Sequence, residues 1–334
     1  FADLAALEAA PEGSLEGKIA FISARMERTQ SGAGYGPVVQ GRSLGPFVAA
    51  QKGAAALILR SVGTDNSRLP HTGNMSGSTP GVAVPSAAIS NADADLLVAL
   101  LERPAPVTFE LELDVGMDDE NIGVSYNVIG EFDGREDTGE FVLIGGHLDS
   151  WDLGTGAHDD GAGVAITMAA AKLVADLPQR PRRGIRVVLF ANEEQGIYGG
   201  KEYARVHADE VAQHVLGSES DLGAGRIYQF RSRVSTQAEP AMVELAAYLA
   251  PLGIPRQQDR PASGGADIGQ ISRLGVPVVD LNHDASRYFD LHHTANDVLS
   301  QVNPDDMAFN VAAWATLVYF AAETDTVFGP IAPW

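Results

Sequence analysis

The sequence has no cysteine among its 334 residues, and this absence excludes several kinds of chemistry at once. No disulfide can form, no thiolate can bind a metal, and no cysteine can act as a nucleophile. Any metal held by side chains must therefore use histidine, aspartate or glutamate. Cysteine usage consequently does not distinguish a cytoplasmic protein from a periplasmic one.

Positive charge and long apolar runs are also scarce. The chain has 23 Lys and Arg against 44 Asp and Glu, which gives a net charge of −21 and a pI of about 4.6. This surplus argues against a nucleic-acid or anionic-membrane partner, and a solvated acidic surface is its simplest interpretation. No apolar run approaches the ~20 residues that a membrane span needs. The length is sufficient for two globular domains.

An acidic segment, GMDDENIG (116–123), divides the chain into two regions of alternating strands and helices. We predict domains of residues 1–118 and 119–334, the second with a mostly parallel (mixed) α/β sheet flanked by helices and the first a smaller α/β domain. The predicted strands are 17–24, 55–61, 84–90, 107–115, 125–132, 141–147, 185–191, 214–220 and 276–282. The predicted helices are 45–55, 91–102 with an Asn91 cap, 163–177, 239–252 and 305–323.

Polar side chains follow four strands of the predicted larger sheet. They are His147 and Asp149 after FVLIGG, Glu193 and Glu194 after IRVVLFAN, Glu219 and Asp221 after HVLGS, and HDASRYFDLHHTAND (283–297) after VPVVDLN. Sites in open α/β sheets gather beyond the carboxyl ends of the strands. One such strand end is common, but four in one sheet, two of them with histidine, indicate a functional site.

Glu193 and Glu194 are adjacent acids directly after an apolar strand. Their negative charges repel each other and are costly to desolvate, and a bound cation would remove both penalties. In a hydrolase, one carboxylate could bind a metal while its neighbour accepts a proton from the activated water. The alternative is an exposed pair in a loop.

The stretch GGHLDSWDLGTGAHDDGAG (145–163) places two His and four Asp between glycines. The glycines would let the loop fold back tightly, so that Asp159 could return to His147. A helix is predicted to begin directly after Asp160, and a helix N-terminus also favours a carboxylate. We therefore expect that Asp159 or Asp160 caps this helix.

Together these segments resemble the M28 metallopeptidase family, and closely its plasma glutamate carboxypeptidase (carboxypeptidase Q) branch. The resemblance rests on GHLDSWDLGTGAHDDGAG, FANEEQGIYGG, ESDLGAG, GGADIGQISRLGVP and YFDLHHTAND, in the family's order and spacing. The stretch YGPVVQGRSLGPFVAAQKGAAALILRS is similar to the protease-associated domain of that branch. The resemblance implies a protease-associated lid or interaction domain over 1–118 and a dizinc peptidase domain over 119–334.

The resemblance also implies two Zn²⁺ ions and a role for each matching residue. The implied ligands are His147 and Asp221 on one ion, Glu194 and His293 on the other, and Asp159 as the bridge between them. Glu193 would be the general base, and Asp149 would orient His147 by accepting from its second ring nitrogen. Asp160 would hold the turn or cap the helix, while Asp152 and His158 would not bind metal.

The implied reaction is hydrolysis of short unblocked peptides, especially dipeptides. An M28 aminopeptidase is the main alternative, followed by a non-catalytic, receptor-like homologue and a single-zinc glutaminyl cyclase. We expect a short peptide as the binding partner. The sequence does not decide between a monomer and a homodimer. The sequence has no initiator methionine and no signal-peptide pattern at Phe1, so we expect a mature or trimmed product. We separately expect a secreted or periplasmic location, although no signal peptide is present in the sequence.

Other motifs and histidines receive plainer interpretations. GRSLG (41–45) matches the nucleophile-elbow pattern G-x-S-x-G, but the preceding YGPVVQ is a poor strand, which argues against a serine hydrolase. We expect His71 to be an ordinary loop residue, and His207 and His214 to lie on the surface. His283, Arg287 and Tyr288 are expected in a loop that overhangs the site, while His292 would pack or touch substrate.

Overall fold

The computed structural model describes residues 1–75, 81–116 and 123–334. Contacts divide the chain into two units, Phe1–Val124 with Phe289–Asn296, and Ser125–Tyr288 with Asp297–Trp334. The boundary predicted after residue 118 falls within 117–122, outside the described residues. Its assignment to protease-associated and catalytic domains stays a prediction.

The first unit contains a three-stranded parallel sheet. Its strands are β1 (Ile19–Ile22), β2 (Ala56–Arg60) and β3 (Ser86–Ile89), paired in that order. Its helices are α1 (Leu4–Glu8), α2 (Tyr35–Ser43), α3 (Gly45–Gln51) and α4 (Asn91–Leu101). Three of the four strands predicted in this unit are confirmed. The α4 cap is Ser90, which accepts the Asp93 N–H, and not Asn91.

Two sequence patterns of this unit, 107–115 and GRSLG (41–45), do not form the local structures of which they are typical. The alternating stretch 107–115 was predicted as a strand, but it pairs with no strand in the described part of the chain, and nearly all its residues are exposed. GRSLG lies at the end of α2, so Ser43 is the last residue of a helix and does not follow a strand. The strand-to-helix turn that a nucleophile elbow requires is therefore not formed at Ser43.

The second unit contains a six-stranded mixed sheet. Its strands are β4 (Val128–Phe132), β5 (Phe141–His147), β6 (Gly184–Phe190), β7 (His214–Glu219), β8 (Ile227–Arg233) and β9 (Val278–His283), in the spatial order β4-β6-β5-β7-β9-β8. The four central strands are parallel, and β4 and β8 run antiparallel at the two edges. The predicted mostly parallel, mixed sheet is confirmed.

Helices cover both faces of this sheet. They are α5 (Ala162–Ala175), α6 (Tyr198–Val206), α7 (Glu239–Leu249), α8 (Ile268–Ser272) and α9 (Pro304–Glu323). Val142 and Ile144 of β5 join the core formed with α5, α7 and α9, whereas Leu143 joins the core formed with α6 and α8. This alternation explains why β5 is a continuous apolar run, because both its faces are buried. Among the described residues, no helix has the length and apolarity needed to cross a bilayer.

Candidate metal centre

The carboxyl ends of β6, β5 and β7 are neighbours at one edge of the sheet. His147 is the last residue of β5, and Asp221 comes two residues after the end of β7. The Nε2 atom of His147 lies 3.2 Å from Oδ1 of Asp159 and 3.4 Å from Oδ1 of Asp221. The glycine-rich loop therefore returns Asp159 to His147, as its sequence predicts.

Two overlapping groups of side chains in this unit could each hold a metal ion. One is His147, Asp159 and Glu194, and the other is His147, Asp160 and Asp221, with the ligand atoms of each group within 4.8 Å of one another. His147, Asp159 and Asp160 are buried, and the other two are partly buried. Imidazole nitrogen and carboxylate oxygen are the donors that zinc accepts when thiolates are absent.

The ring of His147 is oriented by a backbone group. Its Nδ1 atom lies 2.9 Å from the carbonyl oxygen of Asp149, whereas the nearest Asp149 carboxylate oxygen is 3.7 Å away. Because a carbonyl can only accept, Nδ1 carries a hydrogen, and Nε2 is the ring nitrogen that faces Asp159 and Asp221. The ring therefore lies closer to the backbone carbonyl of Asp149 than to its carboxylate, and the orienting role of the carboxylate stays a prediction.

The Asp149 carboxylate instead holds the turn after β6. It accepts the N–H of Glu193 at 2.9 Å and the N–H of Glu194 at 3.1 Å. Burial would raise the pKa of Asp149, but His147 and these two N–H groups outweigh it and lower the pKa below its usual value. Asn192, just before the pair, has a left-handed φ of 59° that turns the chain. Asp149 thus fixes the adjacent acids relative to the ring of His147.

Asp160 supports both the strand and the helix that meet here. Its two oxygens accept the N–H of His147 and the N–H of Gly163, each at 3.1 Å, and Gly163 lies in the first turn of α5. A Cβ at Gly146 or Gly163 would lie 2.3 or 2.4 Å from these oxygens, so both positions require glycine. The predicted turn-holding and capping role of Asp160 is confirmed.

Two further side chains support the centre and were missed by sequence reasoning. Asp297 accepts the N–H groups of His158 and Asp159 at 2.6 and 3.1 Å. Trp151 Nε1 donates to Oε2 of Glu194 at 2.7 Å. Both residues lie inside the motifs quoted above, but no spacing rule indicates that their side chains support neighbouring ligand candidates.

The accumulated negative charge fits a cation. Burial, followed by the charge of Asp221, raises the pKa of Glu193 to about 9. Burial raises the pKa of Asp160 well above its usual value, and the charges of Asp221 and Asp159 add to the rise. Bound positive charge would relieve this repulsion, and the donors are all nitrogen and oxygen. The residues present therefore fit zinc.

Glu219, at the end of β7, has a different role from the other strand-end acids. Its carboxylate accepts the N–H groups of Ala266, Asp267 and Ile268 at 2.9, 2.9 and 2.5 Å. A carboxylate used in this way ties the start of α8 to β7. Of the two acids in ESD, Asp221 is therefore the one that faces His147.

Comparison of the sequence with protein families identifies the family of this chain. The model of peptidase family M28 matches residues 127–318, more than half of the chain. The chain belongs to peptidase family M28.

Known members include proteins similar to this M28 chain over most of its length. Carboxypeptidase Q of Bos taurus is 34% identical over 291 residues, and that of Homo sapiens is 33% identical over 291 residues. Each alignment covers 87% of this chain but 61% of the relative, so the chain spans about three-fifths of the length of these curated relatives. The predicted resemblance to this branch is confirmed.

Solved structures extend the comparison. A peptidase M28 precursor from Shewanella amazonensis SB2B superposes with a TM-score of 0.93 and 47% identity, covering 100% of this chain and 75% of that one. A zinc aminopeptidase from Bacillus subtilis has a TM-score of 0.60 and 17% identity, covering 93% of this chain and 71% of that one. At that identity, the aminopeptidase shares the fold alone.

The proposed ligand His293 of this M28 chain is described with the first unit, because the segment Phe289–Asn296 groups there. Its Nδ1 atom lies 3.0 Å from the carbonyl oxygen of Thr72, and its φ is 61°. His292 is buried and stacks on His293 with ring centroids 3.5 Å apart. His71 is also buried, so the prediction of an ordinary loop residue is wrong.

Three predictions for histidines of the second unit need correction or refinement. His214 begins β7, is 3% exposed, and has a pKa lowered to about 4 by burial, so it is not a surface residue. His158 is buried and accepts the Ala224 N–H, which makes it structural. His283 ends β9 and is buried, as is Tyr288, whereas Arg287 is exposed. His283 therefore belongs to the sheet and not to a loop, whereas Tyr288, whose pKa is raised by burial, lies near enough to Asp159 and Asp221 for their charges to raise that pKa further.

Proposed function

We propose that this M28 chain is a dizinc exopeptidase that hydrolyses short unblocked peptides, in particular dipeptides. One observation carries the proposal: Nε2 of His147 lies 3.2 and 3.4 Å from carboxylate oxygens of Asp159 and Asp221, beside an acid pair fixed by Asp149. Such a convergence of one imidazole and several carboxylates has its simplest explanation in bound divalent cations.

Each proposed ligand combines a family motif with a position in the structure. His147 and Asp221 would hold one zinc ion, with Asp159 bridging to the other. Glu194 could share the second ion with Asp159, because the ligand atoms of these two residues lie within 4.8 Å of each other. His293 is assigned to the second ion from the motif YFDLHHTAND alone.

The chemistry needs one acid for binding and one for proton transfer. When bound, zinc supplies Lewis acidity for the scissile carbonyl and lowers the pKa of water. Glu193 accepts the proton of the attacking water at its carboxylate and returns it to the leaving amine. Asp149 holds Glu193 in place through its N–H, and Trp151 orients the neighbouring Glu194 by donating to its Oε2.

Substrate preference is proposed from the similarity to carboxypeptidase Q. An aminopeptidase is the second candidate, because the fold is shared with a zinc aminopeptidase and the metal residues would serve both reactions. We further propose that residues 1–118 form a protease-associated domain. A secreted or periplasmic location and a homodimer stay predictions.

A substrate panel with a matched pair of variants tests this function. Wild type with zinc should cleave unblocked dipeptides faster than N-blocked dipeptides or aminoacyl-nitroanilides. Glu193→Gln should lose turnover by at least ~100-fold while retaining zinc, because a general base contributes about 10²–10⁴-fold. Glu244→Gln, at an exposed site on α7, is the control and should behave as wild type.

The same panel separates the alternatives. Preferred cleavage of nitroanilides would replace the dipeptidase with an aminopeptidase. Substantial activity in Glu193→Gln would contradict the assignment of the base. Absence of both bound zinc and hydrolysis in wild type would favour a receptor-like homologue.

A further inference from the structure

The first unit supplies the surroundings of His293. We propose that its loop of residues 61–75, here called the clamp loop, fixes the ring tautomer and backbone conformation that His293 needs as a zinc ligand. The inference rests on the proposed function, in which His293 binds the second ion.

The clamp loop contacts His293 on both its ring and its backbone. The carbonyl oxygen of Thr72 lies 3.0 Å from Nδ1 of His293, and the N–H of Thr72 donates to the His293 carbonyl at 3.1 Å. Because the Thr72 carbonyl only accepts, it places the hydrogen on Nδ1 and leaves the lone pair on Nε2. This is the arrangement that metal-binding histidines generally use.

The backbone of His293 also needs this support. Its φ of 61° lies in the left-handed region, which a residue with a Cβ rarely adopts. The preceding carbonyl, that of His292, accepts from Nδ1 of His71 at 2.7 Å. The carbonyl groups of both His292 and His293 are thus held by neighbouring residues of the clamp loop.

His71 is itself locked in place. Its side chain is 0% exposed, and its Nε2 atom lies 2.9 Å from Oδ1 of Asp65. A Cβ at Gly63 would lie 2.2 Å from the His71 ring, so glycine is needed there to admit the imidazole. Packing and the Asp65 contact therefore fix the direction in which His71 donates to His292.

A second set of contacts holds the start of the segment Phe289–Asn296, which contains His293. Arg28 forms a two-pronged contact with the Asp290 carboxylate at 2.6 and 2.8 Å, and Oγ1 of Thr64 donates to the same carboxylate at 2.8 Å. The Thr64 N–H also donates to the Phe289 carbonyl at 2.9 Å. Planar bidentate pairs of this kind fix orientation as well as distance.

Removing the group bonded to the ring of a metal-binding histidine typically lowers metal affinity by about 10–100-fold. His71 acts one step further away, through the carbonyl of His292, so we expect an effect near the lower end of that range. His71 permits a test in which only the contact to the segment changes. The side-chain amide of asparagine can occupy the position of Nδ1, whereas that of glutamine reaches the position of Nε2. His71→Asn should therefore retain the donor to His292, and His71→Gln should retain the Asp65 contact but lose that donor.

The experiment is a zinc titration of the full metal-free chain, followed by calorimetry. We expect wild type and His71→Asn to bind two zinc ions each, with the same affinities in both proteins. We expect His71→Gln to bind one of the two ions at least ~10-fold more weakly than wild type does. Arg28→Gln, which alters a half-exposed anchor, should weaken the same ion. Arg25→Gln is the control, because this exposed arginine pairs with Asp95 and lies outside both the clamp loop and the segment Phe289–Asn296.

The outcomes are distinguishable. If wild type binds two ions and His71→Gln binds both as tightly, the clamp is refuted and the proposed function stands. If zinc affinity falls equally in His71→Asn and His71→Gln, and their melting temperatures fall equally, His71 contributes only packing. That result would also refute the proposed role of the clamp loop. If wild type binds no zinc, the proposed function fails and the clamp fails with it.

Discussion

Gly163→Ala should destabilise the second unit, although glycine-to-alanine changes in helices usually stabilise by about 0.5–1 kcal/mol. Gly163 is the second residue of α5. A Cβ there would lie 1.9 Å from the carbonyl oxygen of Ser220 and 2.4 Å from Oδ1 of Asp160. Neither atom can move freely, because the Ser220 N–H is bonded to the Gly145 carbonyl and Asp160 is held by His147.

The magnitude follows from these contacts. Overpacking costs about 1–3 kcal/mol, and weakening the buried bond from Gly163 to Asp160 costs about 1–3 kcal/mol more. After the gain in helix propensity, the net loss in the free energy of unfolding should be about 2–4 kcal/mol. For a unit of about 200 residues, this corresponds to a fall in melting temperature of about 4–16 °C.

Urea denaturation and thermal melting of the metal-free chain measure this effect. Gly36→Ala is a matched control, because Gly36 is the second residue of α2 and nothing lies within 4 Å of its added Cβ. The control should be unchanged or more stable by up to about 1 kcal/mol. If Gly163→Ala is as stable as Gly36→Ala, the close approach of α5, Asp160 and Ser220 is not as described.

Three further predictions concern other parts of the molecule. Trp151→Phe should weaken zinc binding about 10-fold in a metal titration, because Glu194 loses its donor, and unchanged affinity would contradict that support. Because burial lowers the pKa of His214 to about 4, the unfolded chain binds an extra proton between about pH 6.5 and 4. The free energy of unfolding should therefore fall by up to about 3 kcal/mol across that window, and His214→Asn should flatten the fall; an equally steep fall in this variant would refute the explanation. Ser43→Ala should leave turnover and zinc content unchanged, since Ser43 ends a helix, and a large loss of turnover alone would revive a serine hydrolase.

Strands buried on both faces were the most predictable part of the fold. The runs at β5, β6, β7 and β9 are apolar because helices cover both sides of the sheet, and this composition is visible in the sequence. β8 was missed because buried Gln229 and Arg231 interrupt its apolar pattern. The stretch 107–115 was predicted wrongly because alternation indicates two different faces but not whether a neighbouring strand exists.

The site was predictable in its position and less so in its contacts. Parallel strand order brings His147 and Asp221 to one edge, and the helix-start rule predicted a cap at Asp159 or Asp160, of which Asp160 makes the contact to Gly163. The contact of His147 with the backbone of Asp149 depends on loop torsions that no residue type reveals. The burial of His71 likewise depends on where the chain beyond position 288 returns, which a local pattern does not encode.

The central claim is a two-zinc centre in which Glu193 transfers protons and does not bind metal. Counting zinc per chain in wild type and Glu193→Gln, on the samples assayed for dipeptide hydrolysis, tests it most directly. We predict two zinc ions in both proteins and turnover in wild type alone. A wild-type chain without zinc, or a Glu193→Gln variant that still hydrolyses dipeptides at the wild-type rate, would contradict the account.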